Sequence, residues 1–534
     1  MVRSLVAQFN GLPRTPTIPS PGGKVDNVWY FDIRYDFLEP NPSHVLFLVQ
    51  PKSQSTHLER LPLRIDSTTN SVHFFPESAE DAAPVVTEAL LHSFVHNLGR
   101  GSNASSLGAP WRLMTEESAL AAVVGKALKK IGVGAEDLWD VSVSSQDVAH
   151  GVVDDLFQRK WEALKRKAGY VDRAISALVP LPNAISFSSF SFRPPAVPGS
   201  DSEAALTCAR HMCNAQPQLV LYSEKNESDY MQQNFGQRLT QLNRNPFRAV
   251  KAKADAGDLE AAFDCGIRYF SGYQCTISRK KARHYLMKPI DSPNTSPQLR
   301  SASHSALLQW FTEASTTDKI RSRYLYMALH HAEQAIFEGS KVAAPGVPPA
   351  SPYVCLFLQN CSKALAEACP ALGMFYPMIK AELDRSEESK VETSAKLAEK
   401  SEKHPNRYRC ANEGCPIMAN HGRMLRRCSG KCDVDKKPHY CSKDCQKADW
   451  KRHKPFCRPG APASFEVAVP NIGFASKGAL QIPVKRADGT MGSFSTTSLD
   501  PTTLRELKEL LDKGDTKLPS HMSGIELRHV DIDI

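Results

Sequence analysis

Residues 410–457 read CANEGCPIMANHGRMLRRCSGKCDVDKKPHYCSKDCQKADWKRHKPFC, and eight of the cysteines and histidines in these 48 positions stand at the spacing of zinc ligands. They are Cys410, Cys415, Cys428, Cys432, Cys441, Cys445, His453 and Cys457, spaced C-x4-C-x12-C-x3-C-x8-C-x3-C-x7-H-x3-C. Half of the chain's 14 cysteines therefore fall in less than a tenth of its 534 residues. Zinc takes four tetrahedral ligands, and structural sites are closed by four thiolates or by three thiolates and an imidazole. Eight ligands make two ions, so the expected cofactor is a pair of Zn2+.

Local spacing agrees with that reading. Cys441 and Cys445 stand four residues apart, on one face of a helical turn, where one ion reaches both. His453 and Cys457 repeat the interval, with Pro455 limiting helical regularity between them. Gly430 lies between Cys428 and Cys432, where a tight knuckle turn needs it. The 12 residues separating Cys415 from Cys428 are too few for a core of their own, but enough to wrap metal. A disulfide framework is the competing explanation. It belongs mainly to oxidising compartments, the N-terminus shows no secretory apolar region, and an imidazole at ligand spacing would be left without a role.

The run from Tyr440 to Cys457, YCSKDCQKADWKRHKPFC, closely resembles a MYND zinc finger. That resemblance implies an interleaved arrangement in which Cys410, Cys415, Cys441 and Cys445 hold one zinc while Cys428, Cys432, His453 and Cys457 hold the other. The first gap, 411–414, is four residues where two are commoner, and 433–440 is slightly long; neither departure removes a ligand. The resemblance further implies capture of short proline-containing peptides by strand addition beside a small hairpin, with Ser442, Gln446 and Trp450 at groove positions. Trp450 offers a rigid surface for a proline ring. Its other reading is as a lid over the metal cluster, since small domains spend aromatics on their cores.

With all eight positions filled by side chains, neither ion keeps the open position a catalytic zinc needs. Charge separates protein from nucleic-acid partners. Residues 410–457 hold 11 Lys plus Arg against five Asp plus Glu, a formal +6 that seven thiolates and two divalent ions reduce to +3. Several of Arg423, Arg426, Arg427, Lys431 and Lys443 are expected to neutralise anionic sulfur. A dense phosphate-binding face is not expected. The chain's formal +9 falls to about +6 by the same correction, which is ordinary for its size.

The expected fold class is multidomain α+β. Residues 1–25, rich in Pro, Ser and Gly, are expected to be a disordered tail. Residues 26–175 read as an α+β domain, with strand patterns at 29–37, 44–50, 61–65 and 71–75. Helical patterns follow at 79–98, at 115–131 with Thr115 as N-cap, and at 145–167. A linker is expected over 176–203 and a mainly helical region over 204–380. Within it, about 252–290, the small residues Ala254, Gly257, Ala261, Gly266 and Ala282 and the aromatics Tyr269 and Tyr285 resemble one unit of the Sel-like tetratricopeptide class, departing at Gln274, Ser278 and Pro289. The basic run Arg279-Lys-Lys-Ala-Arg283-His is read as a solvated helix face rather than a nuclear signal. Residues 381–405 suit a charged helix or tether, 410–457 the finger, and 462–534 a small α+β region with a hairpin turning at Asp488-Gly489, a helix at 502–513 and a last strand at 525–534.

The functional expectation is a non-enzymatic, intracellular adaptor of the cytoplasm or nucleus, binding other proteins, with no membrane span because no 18-residue apolar run exists. A SET-type lysine methyltransferase, in which some MYND fingers are embedded, is the enzyme alternative. It is disfavoured because only 77 residues follow Cys457 and none is a cysteine. The third reading is a DNA-binding regulator. No P-loop, Gly-x-Ser-x-Gly elbow or His-Glu-x-x-His occurs, and His92, His96 and His150 are read as ordinary packing or surface residues.

Overall fold

Val28–Asp36 (VWYFDIRYD) and Ser43–Gln50 (SHVLFLVQ) are rich in β-branched and aromatic residues and are buried along almost their whole length, the mark of strands covered on both faces. In the computed structural model they form the centre of a five-stranded sheet, ordered Ser55–Leu61, Ser43–Gln50, Val28–Asp36, Arg112–Thr115, Ser142–Val143. Pairing is antiparallel on the first side (Tyr30↔Val49 to Asp36↔Ser43) and parallel on the second (Val28↔Arg112). Trp29, Phe31 and Ile33 alternate onto one face with Leu46 and Leu48, beneath helices Ala79–His92 and Ser118–Ile131. Tyr30 points the other way with Val45, Phe47 and Val49, beneath Ala149 and Val153 of helix Asp147–Lys167. The result is a helix–sheet–helix sandwich. The structure describes residues 2–20, 22–36, 42–53, 55–63, 72–98, 108–144, 147–167, 184–187, 198–218, 227–314, 318–368, 375–420, 424–464, 479–485, 491–496 and 499–512.

Several expectations fail here. The disordered tail expected over 1–25 is instead a helix, Val2–Asn10, burying Leu5, Val6 and Phe9 against the sheet's helical layer, followed by the hairpin Thr17–Ser20/Gly23–Asp26. Its apolar stripe outweighs the Pro- and Gly-rich composition of the residues that follow, of which Pro19 and Gly23 sit in the hairpin's strands. Thr115 is no helix cap; it ends the strand Arg112–Thr115, and the helix starts at Ser118. Residues 72–76 join no strand among the described residues; arginine side chains instead take carbonyls of this segment. Of the linker expected over 176–203, the described Ile185 and Phe187 are buried in the sheet's core.

Helices then run from Asp201–Ala215 to Pro352–Ala368, sharing one apolar cluster. The resemblance to a helical-repeat unit has a physical counterpart in Leu259–Ser271 and Arg279–Asp291. A Cβ on Gly266 would stand 2.7 Å from Leu286 Cγ, so only glycine permits the approach of these two helices. Tyr269 stacks on Tyr285 at 5.7 Å. At the departing positions, Gln274 takes a left-handed φ of 56° and Ser278 caps the second helix by accepting from the Lys281 amide. The two helices that follow, Pro297–Ala314 and Asp318–Ser340, are longer, at 18 and 23 residues against 13.

The basic run at 279–284 is a solvated face only in part: Lys280, Lys281 and His284 are exposed, while Arg279 and Arg283 are engaged by other parts of the chain. Arg279 lies 3.8 Å over the Trp310 ring and meets Glu77, while Arg283 donates to the carbonyls of Val72 and His73 at 2.9 and 3.0 Å. Arg323 completes the grip. It is 7% exposed, sits 3.7 Å over the Phe75 ring, and donates to Pro76 O at 2.7 Å. Burial lowers its pKa to about 10, and burial together with Arg323 and Arg283 holds His44 neutral. This arginine trio fastens the segment 72–77 of the sheet domain to the helical region.

The chain divides into a unit of residues 1–383 and a unit of 384–534, with helix Pro377–Lys403 running through the boundary. In the second unit the hairpin Leu480–Lys485/Met491–Thr496 adds the strand Met418–Ala419 along its open side. Helix Pro501–Asp512 buries Leu504 and Leu507 with Ile417, Ala419, Leu425, Ile482 and Phe494 in one core. The segment after Cys457 is thus structurally continuous with the finger, not an appendage beside it. The turn expected at 488–489 and the strand expected at 525–534 lie outside the described residues. Among the described residues, no helix is long and apolar enough to cross a membrane.

Candidate metal centre

The eight sequence-selected ligands assemble into two sets whose donor atoms lie within 4.8 Å of one another: Cys410, Cys415, Cys441 and Cys445, and Cys428, Cys432, His453 and Cys457. The interleaving separates neighbours in sequence. Short strands bring Arg427 opposite His439 and Arg426 opposite Tyr440, so the chain enters the turn Cys441–Ser442 directly above the first set. Ser442 then caps helix Lys443–His453 by accepting from the Cys445 amide at 3.2 Å, which fixes the turn carrying Cys441 and Cys445. The four-residue first gap reverses at Gly414, with φ at 76°.

Interatomic distances test the fit to zinc. Zn–S bonds of ~2.3 Å at the tetrahedral angle place sulfurs about 3.8 Å apart, and a sulfur about 3.5 Å from a ligating imidazole nitrogen. Cys415–Cys441, Cys445–Cys415 and Cys441–Cys445 stand at 3.7, 3.8 and 3.5 Å. In the second set, Cys428–Cys457 and Cys432–Cys457 are 3.8 and 3.7 Å, and Cys432 Sγ lies 3.5 Å from His453 Nε2. All of these exceed by far a disulfide bond of ~2.05 Å, and all eight residues accept one ion per set. Each ion would find four protein donors and no vacant position, so the chemistry it supplies is cross-linking of the fold.

Surrounding groups orient the ligands. His453 Nδ1 meets Ser464 Oγ at 2.8 Å, leaving Nε2 for metal, and burial lowers this imidazole's pKa, favouring the neutral ligating form. Asp449, 3% exposed, accepts from Tyr440 Oη at 2.8 Å and Arg452 Nε at 2.7 Å; Arg452 also donates to Ala411 O. Sequence reasoning missed Asp449, Arg452 and Ser464; apart from the Asp449–Arg452 pair, three residues apart, their partners are 9 to 41 residues away and carry no spacing signal. The expected neutralisation by Arg426, Arg427, Lys431 and Lys443 is not what the geometry shows: all four are exposed. The sulfurs instead accept from the Gly430 and Cys441 amides and from Asn412 Nδ2. Arg423 lies outside the described residues.

Gly430 earns its place by contact. A Cβ there would sit 2.1 Å from Cys457 Sγ, and that sulfur is a ligand that cannot retreat. Gly430→Ala is therefore expected to weaken the second site about 100-fold or more while sparing the first. Elemental analysis after a mild chelator challenge reads this as one retained zinc instead of two; two retained ions would refute it.

The peptide-groove candidates recur at every fourth position along the helix that starts at Lys443. Trp450 is 42% exposed, with its ring edge-on to His453 at 6.0 Å, so it does not serve as a buried lid over the metal. Gln446 and Ser442 are partly exposed. Elsewhere, His92 pairs with Glu59 and His150 with Tyr30 and Glu116.

No curated protein and no solved structure matches the chain. Residues 409–457 match the family model described as the MYND finger, a zinc-binding domain that generally mediates protein–protein interactions. With both tetrads assembled at tetrahedral spacing inside that segment, the chain carries a MYND-type zinc finger.

Proposed function

We propose that the chain is a non-catalytic intracellular adaptor whose finger captures proline-containing peptides. The observations that carry this reading are an uncovered strand edge and an exposed tryptophan within the same finger. Among the described residues, Arg426–Arg427 pairs on one side only, with His439–Tyr440, and that partner strand leads within two residues into the helix bearing Gln446 and Trp450. The finger's other strand, Met418–Ala419, is covered by Leu480–Gln481 and by Arg409. An incoming extended peptide therefore has one edge on which to add its backbone hydrogen bonds. Trp450 supplies an apolar plate for a proline ring, and Gln446 and the Ser442 hydroxyl supply polar contacts at its border.

Two closed zinc sites support a scaffold role over catalysis, since neither leaves a position for water. Reduced thiolates at both sites support residence inside the cell. Trp450→Ala is expected to lower affinity for a proline-rich probe peptide by about 30-fold, the usual loss at a central aromatic contact. Zinc content stays at two equivalents in that variant, because Trp450 touches a metal ligand only edge-on. Unchanged affinity, or loss of zinc with affinity, would return Trp450 to a structural role.

A further inference from the structure

We propose that the finger selects proline-containing peptides bearing acidic residues at alternate positions, read by a row of three lysines beside the groove. This rests on the peptide-docking reading above and specifies its partner.

Helix Lys443–His453 carries Lys443, Lys447 and Lys451, each one position after a groove residue: Ser442, Gln446 and Trp450. A residue advances about 100° around a helix, and a step of four returns to nearly the same line. The lysine row thus runs the length of the helix about 100° around from the groove row. All three lysines are exposed, and among the described residues none has a carboxylate within ion-pair distance. Other helices of this chain do pair their lysines at four-residue spacing: Glu392 with Lys396, Glu399 with Lys403, Asp512 with Lys508. In the finger helix the residue four positions from each lysine is another lysine.

That arrangement works against the helix. Like charges four residues apart repel, and Lys443 occupies the first helical position, where the dipole favours anions. Relief of zinc–thiolate charge does not account for it, because the sulfurs are buried and take their hydrogen bonds from amides and Asn412. An external anion would relieve both. Successive lysines rise ~6 Å along the axis, and alternate side chains of an extended peptide are ~6.7 Å apart. A strand laid along the groove therefore offers acids at every second residue to successive lysines, while the residues between face Trp450. Arg426 and Arg427, exposed on the free strand edge, add the same sign of charge.

The test titrates zinc-loaded full-length protein with two probe peptides sharing a proline-rich core, one carrying glutamate at three alternate positions and the other glutamine. The glutamate peptide is expected to bind about tenfold tighter at low salt, three exposed ion pairs being worth that much together. The advantage shrinks as ionic strength rises. Lys443→Glu/Lys447→Glu/Lys451→Glu should abolish the preference and transfer it to a peptide carrying lysines, with cobalt-substituted spectra reporting intact thiolate sites. Lys447→Gln alone, which leaves the cap and the ligands untouched, should remove about a third of the effect on a logarithmic scale. Equal binding of both peptides overturns this proposal and leaves the docking reading standing. No binding of either overturns both. Tighter, lysine-dependent binding of a short single-stranded oligonucleotide than of the glutamate peptide assigns the row to nucleic acid and overturns the proposal as well.

Discussion

Stripping zinc from the intact chain is expected to unfold the finger and the C-terminal hairpin together while the unit of residues 1–383 stays folded. Six of the ligand cysteines sit in the same core as Leu480, Ile482, Phe494, Leu504 and Leu507. A structural zinc contributes on the order of 10–16 kcal/mol of apparent binding energy in finger-sized peptides, more than so small a core can replace. Without metal, seven thiols and an imidazole crowd together with nothing to hold them. Met418–Ala419 then loses its position, and Leu480–Lys485 loses a pairing partner. Hydrogen exchange should show the described amides of 410–457, Leu480–Lys485 and Met491–Thr496 losing protection in one step on chelation, with amides of Val28–Asp36 unaffected. Persisting protection at 480–485 would mean that the C-terminal region holds its own fold, and the shared core would be disproved.

The second large effect lies in the first unit, at Arg323. Its guanidinium is buried against Phe75, donates to Pro76 O, and meets His44 Nε2 at 3.1 Å. Arg323→Ala removes a long packed stem and leaves a buried carbonyl and an imidazole without their donor. The expected cost is about 3 kcal/mol, combining a cavity with orphaned acceptors. Arg323→Met keeps much of the volume and removes a desolvated cation, so it should cost less. Urea unfolding of the first unit, with exchange at residues 72–77 as a local probe, distinguishes the two. A cost below about 0.5 kcal/mol for the alanine variant would show that the segment is held by its own apolar contacts.

The metal ligands were fully legible because thiolate chemistry is written in residue identity and spacing: a cysteine four residues from another needs little tertiary context. The buried strands at 28–36 and 43–50 were legible for a similar reason, since their apolar runs admit few alternatives. What escaped detection depends on distant partners. Leu5, Val6 and Phe9 form a short apolar stripe that matters only because the sheet's helices lie ready to cover it. Arg279 and Arg283 look like a hydrophilic helix face until Phe75, Trp310 and the carbonyls of 72–76 are in place around them. The strand partner of Met418–Ala419 lies some 60 residues downstream, in a run whose pattern announces a hairpin but not a third strand.

The coupling of Leu480–Lys485 to Met418–Ala419 bears on how the finger behaves alone. A fragment cut after Cys457 would leave the backbone amides and carbonyls of that short strand facing water, next to Ile417 and Ala419, which are now wholly enclosed. Such a rim invites any extended polypeptide, including another copy of itself, and would give indiscriminate stickiness that the native chain has capped with its own tail.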